Sequence, residues 1–279
     1  MRNVFSANLY RLRKTRAFYI ALAVMTGYAL FISGICWHRH LSGELMLFGM
    51  EEPMLFAFCT GGLVPFAAFI LAPLLSVYLG TEFSCGTLRS KLSAGCTRSD
   101  IYFANLLTCI VAAVLLAVLY LCVVLTALPA VGEFHIPARQ TLLLLFAGLL
   151  AFAAYASVVN MLSALLGSKT NTALVTLLLL VLTMFVTVYL ADRLEMPEFV
   201  AAYDDAGQIL EEVVPNRYYL QPKARAVCEF VLDLLPTAQC IRISRLDVPH
   251  FSRMPLLSVL VTVCTSGIGL GGFRKKNLK

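Results

Sequence analysis

The sequence predicts an all-α integral membrane protein with six transmembrane helices, and three observations support this prediction. Apolar residues make up 59% of the 279 residues and charged residues only 14%, well below the quarter that is usual in a soluble domain. Six apolar stretches are long enough to cross a hydrocarbon core about 30 Å thick. None of them contains Asp, Glu, Lys or Arg, and none alternates as a barrel strand would, so their backbones must be helical.

The six spans are predicted over residues 18–37, 54–79, 101–128, 141–166, 171–190 and 254–273. Basic residues precede the first span, as they precede a secretory signal. Its apolar run of 20 residues is too long for a signal peptide, and no small-x-small cleavage site follows it. Before it, residues 2–16 are predicted to form an amphipathic helix at the membrane interface, since Phe5, Leu9 and Leu12 recur at i, i+4 and i+7.

Lys and Arg are distributed unevenly between alternate loops, which predicts the orientation. If both termini lie inside, residues 1–17, 80–100, 167–170 and 274–279 carry 13 Lys and Arg against two acids, and the outer pieces carry nine against 14. Both termini are therefore expected in the cytoplasm. Insertion and attraction to anionic lipid explain the basic excess, so nucleic acid is not an expected partner.

One substantial soluble piece, residues 191–253, is predicted as a small, mostly helical outer domain between spans five and six. Val227, Val231, Leu234 and Leu235 recur with helical spacing and Pro236 ends the run, while a second short helix is predicted over 208–214. The apolar stripe would pack on helices or lipid, or alternatively form a gate. The spacing of Cys228 and Cys240 does not decide whether they form a disulfide.

Polar residues and helix breakers inside the spans are candidate pathway residues. Pro65 and Pro73 predict a kink or break in the second span. Asn105 and Asn160 could contact cargo or form hydrogen bonds between helices. Each of these residues could equally serve packing alone.

The last span carries the small-xxx-small pair Gly267 and Gly271. Such a pair allows two helices to approach closely. Packing within the protomer is the first expectation, and packing against another subunit is the alternative.

The loop at residues 80–100 is too elaborate for a simple connection. A helix through 87–94 would place Leu88 and Leu92 on one side and expose Arg89, Ser90 and Lys91. An apolar ridge that is flanked by charged residues can dock into the groove of a partner. The alternative is that the loop docks on its own bundle.

Four stretches give the chain a resemblance to a known family. They are Leu9-Tyr10-Arg11-Leu12-Arg13-Lys14, the loop pieces Glu82-Phe83 and Gly86-Thr87-Leu88-Arg89, Leu235-Pro236-Thr237-Ala238-Gln239, and Phe273-Arg274-Lys275-Lys276. In this order, and with six spans, the chain resembles the ABC-2 type permeases, particularly the six-span subunits associated with bacitracin and lantibiotic resistance. Cys85 departs from the bulky or polar residue that the family commonly has there.

The resemblance implies that the 80–100 loop is a coupling helix that fits a separate cytoplasmic ATPase. The residues implied in this coupling are Glu82, Phe83, Gly86, Thr87, Leu88, Arg89, Lys91 and Leu92. The implied partners are two ATPase copies, a second permease copy or a paralogue, and the lipid of a bacterial plasma membrane. The implied function is the outward transport of an amphiphilic cargo such as an antimicrobial peptide, a drug or a lipid.

The sequence contains no GxxxxGK[ST] phosphate loop, so this chain is expected to bind no cofactor, and ATP is expected to act through the partner subunit. An integral membrane enzyme has little support. HExxH and GxSxG are absent and the four histidines lack ligand spacing, so no catalytic residue or metal site is predicted. A passive immunity or scaffold protein would share every span and lack only the motor.

Overall fold

The computed structural model describes residues 2–42, 51–60, 64–127, 136–203, 209–249 and 251–276. Six helices in these ranges are long and apolar enough to cross a membrane, which confirms the predicted all-α, six-span architecture. They are α2 (Arg16–Leu41), α4 (Phe66–Ser84), α6 (Arg98–Ala127), α7 (Ala138–Leu166), α8 (Lys169–Glu195) and α11 (Arg253–Lys275).

The predicted N-terminal helix is present as α1 (Arg2–Lys14), and Thr15 alone separates it from α2. Its buried residues are Val4, Asn8 and Leu12, and this face packs against α6. The buried face is therefore turned slightly from the predicted one, and the residue at its centre, Asn8, is polar.

The second span, predicted over 54–79 with a kink or break at Pro65 and Pro73, is broken before Pro65. The chain forms a short helix α3 (Glu51–Leu55), leaves helical geometry, and starts α4 only after Pro65. Proline lacks an amide hydrogen, so Pro65 suits the start of a helix, whereas a proline inside a helix removes one ladder hydrogen bond. Pro73 lies inside α4.

Hydrogen bonds to side chains and within turns pair backbone carbonyls of residues 53–58, at the start of this break. The Tyr28 hydroxyl donates to the Phe56 carbonyl at 3.0 Å, and the Tyr120 hydroxyl donates to the Pro53 carbonyl at 2.8 Å. The Phe58 amide donates to the Leu55 carbonyl at 3.0 Å. Backbone groups at this depth need such partners because lipid offers none.

The predicted helix in the 80–100 loop is present as α5 (Thr87–Ser93). Since α4 continues to Ser84, two residues assigned to the loop, Glu82 and Phe83, lie in the last turn of a span instead. The chain turns from α4 into α5 at Gly86, whose φ of 68° is in the left-handed region that favours glycine.

The segment 191–253 contains two helices, α9 (Pro222–Leu234) and α10 (Pro236–Ser244), and an antiparallel strand pair. The strands are β1 (Phe199–Tyr203) and β2 (Ile209–Pro215), so the predicted short helix over 208–214 is wrong. Ile and Val favour strands when a neighbouring strand is available to pair with them. That pairing, with a partner several residues away, is invisible to a local helical pattern.

The α9–α10 hairpin packs on the bundle through α10, whose residues from Thr237 to Ser244 are all buried. The predicted stripe on α9 is less buried than expected: Val227 is 62% exposed, and the buried residues of α9 are Leu232 and Asp233. Asp233 forms a buried ion pair with Arg242 of α10 at 2.8 Å. This ion pair therefore connects the two helices of the hairpin.

Gln239 in α10 connects the hairpin to α11. Its Nε2 donates to the Asp233 carbonyl at 2.6 Å, and its Oε1 accepts a hydrogen bond from the Ser258 hydroxyl of α11 at 2.5 Å. Cys228 and Cys240 are free thiols. Burial raises the pKa of the Cys240 thiol, which disfavours the thiolate needed for disulfide exchange.

Close packing around α7 and α11 depends on glycines other than the predicted pair. A Cβ at Gly267 or Gly271 would meet no described atom within 4 Å, so packing of this pair within the protomer is contradicted, and packing against another subunit stays a prediction. The close approaches are at Gly269, against Tyr102, and at Gly272, against Leu165. A shift of one or two residues around the helix decides which glycines face the bundle.

Replacing Gly269 with Val should destabilise the protein, because a Cβ there would lie 2.3 Å from the Tyr102 hydroxyl, and such overpacking costs about 1–3 kcal/mol. Gly267→Val, two residues away on the open side of α11, is the matched control. Midpoints of thermal unfolding in detergent, followed by fluorescence-detected size exclusion, should fall for Gly269→Val and stay near wild type for Gly267→Val. Equal midpoints for the two variants would contradict this packing.

Candidate functional site

One end of the bundle, called here the α5 end, gathers the start of α6 and α8 and the end of α4, α7 and α11. Gly80 of α4 lies against Lys169 at the start of α8, and Arg98 at the start of α6 reaches the end of α11. Six polar residues meet beneath α5 at this end and form the inner polar cluster. They are Asn8, Arg11, Tyr78, Glu82, Lys91 and Asn105.

Glu82 is the only acid in this cluster and is completely buried in the last turn of α4. Its Oε1 lies 2.6 Å from Arg11 Nη1 of α1 and also accepts a hydrogen bond from Lys91 Nζ of α5. Its Oε2 accepts a hydrogen bond from Asn105 Nδ2 of α6 at 2.6 Å. Charge-assisted hydrogen bonds of this kind are the strong ones, so this carboxylate holds four helices together.

Two asparagines extend the network from Glu82 to α1. Asn8 Nδ2 donates to Asn105 Oδ1 at 2.6 Å, and Asn8 Oδ1 accepts from Lys91 Nζ at 2.8 Å. The Tyr78 hydroxyl donates to the Asn8 carbonyl at 2.9 Å. Every polar group of both amides that faces the cluster is therefore used, as buried polar groups require.

The cluster carries two cations against one carboxylate, and their exposure explains why this imbalance is tolerated. The side chains of Arg11 and Lys91 are 26% and 18% exposed, while that of Glu82 is fully buried. Long basic side chains can keep their charged ends partly hydrated. The Arg11 guanidinium also lies 4.2 Å from the centre of the Tyr78 ring, a favourable cation–π distance.

The apolar side of α5 packs on the protein's own bundle. Leu88 is 3% exposed and packs with Ile101, Tyr102 and Phe273, and Leu92 packs against the same cluster. The expectation that this ridge fits a partner's groove is therefore corrected: the nearest apolar surface, at the ends of α6 and α11, already covers it. The sequence shows that such a ridge exists but not which surface buries it.

The remaining predicted coupling residues lie at different depths. Phe83, Gly86, Thr87 and Lys91 are half-buried, and Arg89 alone of the eight is exposed. The exposed surface around it is called here the α5 outer face. It consists of Ser84, Cys85, Arg89, Ser90 and Ser93.

Basic residues at the α5 end also cap helices. Arg98 Nη1 lies 2.9 Å from the Phe273 carbonyl and 2.7 Å from the carbonyls of Arg274 and Lys276. Lys276 Nζ donates to the carbonyls of Ala164 and Leu165 at the end of α7, at 3.1 and 2.9 Å. These cations satisfy carbonyls that the helix ends leave open. Partial burial lowers the pKa of Lys276.

Two of the four candidate pathway residues are brought together. Asn105 of the inner polar cluster and Asn160 line the same small cavity, with Tyr102 and Ser163. Pro65 precedes the first residue of α4, at the end of that helix opposite to the cluster, and Pro73 lies within it. Within the described ranges, no group of three His, Cys, Asp or Glu side chains could hold a metal ion.

Three members of the cluster, Asn8, Arg11 and Tyr78, were not predicted as functional residues. A signal was available for Asn8, because it lies between Val4 and Leu12 on the buried face of α1. A polar residue in the centre of an apolar helix face must find a partner when it is buried. The partner itself lies 97 residues away in sequence.

A family model matches most of the chain. The family model described as ABC-2 type transporter matches residues 4–204, which is more than two thirds of the chain and includes every residue of the inner polar cluster. No curated protein matches the chain.

Replacing Glu82 with Ala should lower the free energy of unfolding by about 3 kcal/mol, because removal of one member of a buried ion pair leaves the other charge uncompensated. Adding Lys91→Ala to Glu82→Ala should recover part of this loss, since it removes one unpaired cation. Arg89→Ala, on the exposed side of the same helix α5, is the control and should leave stability unchanged. The measurement is SDS titration from detergent micelles, followed by circular dichroism. A Glu82→Ala variant with the same free energy of unfolding as the wild type would contradict the central role of Glu82.

Proposed function

The chain belongs to the ABC-2 type transporter family and is a membrane transport subunit of an ABC system, and from this premise we propose that it exports an amphiphilic cargo with a separate ATPase as its motor. The observation that supports the proposal best is the construction of α5. One side of this seven-residue helix is fixed to the bundle, and the other side is exposed on the protein surface. A partner protein can bind to this exposed side and displace the helix.

The route of such a push follows the contacts of α5. Leu88 would transmit a displacement to Ile101 of α6 and Phe273 of α11, because close-packed side chains move together. Lys91 would transmit it to Glu82 of α4, and Glu82 contacts Arg11 of α1. A force on one short helix is thereby distributed over four neighbouring helices as a rigid-body shift.

The chemistry of the α5 outer face defines the partner surface. Arg89 is its one charged side chain, among serines and Cys85, so the fitting groove on an ATPase would place a carboxylate opposite Arg89 and small polar groups around it. We propose two ATPase copies and a second permease copy or paralogue. ATP would bind to the partner, and this chain would hold no cofactor.

The proposed location is a bacterial plasma membrane with both termini in the cytoplasm. Support comes from the basic residues at the α5 end, among them Arg11, Lys91, Arg98, Arg274 and Lys276, since Lys and Arg beside span ends are retained on the cytoplasmic side. An amphiphilic cargo fits spans whose central parts carry no charge. A role in bacitracin or lantibiotic resistance stays a prediction.

The test is purification of the tagged full chain from its native membrane, with identification of co-purifying proteins and measurement of ATP hydrolysis. Arg89→Glu should reduce the recovered ATPase at least about fivefold, because one lost charge-assisted contact is worth about 1 kcal/mol or more. Lys223→Glu, an equal charge reversal at an exposed site on α9, is the control.

The outcomes separate the proposal from its alternatives. An ATPase that is lost with Arg89→Glu and retained with Lys223→Glu supports coupling through the α5 outer face. An ATPase retained equally by both variants contradicts that face as the contact. Absence of any ATPase from intact wild-type protein favours a passive immunity or scaffold protein.

A further inference from the structure

An apolar cavity of about 410 Å³ lies between α7, α8 and α11, and no residue of the inner polar cluster lines it. Tyr155 of α7, Leu180 of α8 and Val261 of α11 are among its lining residues. The turn between α9 and α10, at Leu235 and Pro236, covers one end. Three transmembrane helices and the α9–α10 turn therefore line a cavity whose volume is within the range of small-molecule sites.

The cavity runs from the protein interior to the membrane-facing surface. Leu180 at its base is completely buried and Tyr155 is 6% exposed. On the rim, Leu260 is 50% exposed and Cys264 is also exposed. A ligand could therefore enter sideways, from the lipid, between α8 and α11.

The depth of the cavity identifies what surrounds its mouth. Tyr155 lies near the middle of the 29 residues of α7, and Leu180 lies near the middle of the 27 residues of α8. At 1.5 Å per residue, both are more than about 15 Å from either end of their helix. The mouth thus opens into the hydrocarbon core, where acyl chains are the solvent.

The size and lining of the cavity exclude a peptide segment and water as its occupants. A helix about 10 Å in diameter takes about 120 Å³ per residue, so 410 Å³ would hold only about three residues of a partner helix. An irregular peptide would leave its backbone groups unsatisfied against this apolar lining. Water does not fill apolar cavities that offer too few polar partners.

We propose that this cavity binds one acyl chain of a membrane phospholipid, inserted between α8 and α11 beneath the α9–α10 turn. The chain would complete the packing of α8, which buries only Thr172, Thr176, Leu180 and Thr187 against the protein. It would also support the turn at Leu235 and Pro236 from below. This inference concerns lipid occupancy of the purified protein and does not rest on transport.

The test uses the full chain in nanodiscs of phosphatidylethanolamine and phosphatidylglycerol that contain a phosphatidylcholine with a photoreactive diazirine in one acyl chain. After irradiation, mass spectrometry locates the adducts. Exposed residues such as Leu178 should be labelled by surrounding lipid in every sample. The buried residues Tyr155 and Leu180 should be labelled only through an acyl chain inside the cavity.

Val261→Phe should fill the cavity and reduce labelling of Tyr155 and Leu180 at least about fivefold, with labelling of Leu178 unchanged. Val263→Phe, on the same helix at a site that is 63% exposed, is the matched control and should leave the adducts as in wild type. Val158→Phe fills the cavity from α7 and serves if Val261→Phe does not fold. Absence of adducts at Tyr155 and Leu180 in the wild type, or adducts that survive cavity filling, would overturn the proposal.

Discussion

A buried carboxylate at the end of a membrane span is the constraint on which the α5 end of this protein depends. Glu82 is fully buried, and Arg11, Lys91 and Asn105 around it compensate the cost of burying its carboxylate. Each of these partners comes from a different helix. The need to compensate one charge therefore fixes the relative positions of α1, α4, α5 and α6. A helix of seven residues such as α5 has too few internal hydrogen bonds to persist alone, so its structure follows from this anchoring.

The end of the bundle opposite to the α5 end also contains a buried ion pair. Asp233 and Arg242 form a buried ion pair that closes the α9–α10 hairpin, and Gln239 hydrogen-bonds the hairpin to α11. In both places a short helix outside the six spans is fixed by a buried charge pair together with an amide. Between these two polar ends the helices pack through apolar and aromatic contacts, such as Phe58 edge-on to Phe152 at 5.1 Å. Both short helices are therefore attached to the spans by buried polar contacts.

Local sequence patterns predicted some features of the site correctly and others wrongly, for physical reasons. The helix at α5 and its Leu88–Leu92 ridge follow from helical spacing, but the surface that buries the ridge is contributed by Ile101 and Phe273, which are distant in sequence. The interruption at Pro65 was predicted as a kink or a break, and the structure has a break, next to which Tyr28 and Tyr120 donate hydrogen bonds to backbone carbonyls. Glu82 was expected at a partner surface because the resemblance to the ABC-2 type permeases implies that role, but it is fully buried. Cluster members Asn8 and Asn105 are 97 residues apart, and no periodicity connects them.

The sequence by itself determined the environment of this protein, the number of its spans and the positions of most helix ends, because these depend on hydrophobicity summed over about 20 neighbouring residues. Tertiary structure alone decided which face of each helix is buried, which glycines of α11 contact α6 and α7, and that β2 is a strand. It also decided that Glu82 is buried between four helices and that Arg89 is exposed on the protein surface. These outcomes depend on contacts between distant segments, where a rotation of one residue changes the neighbour of every side chain.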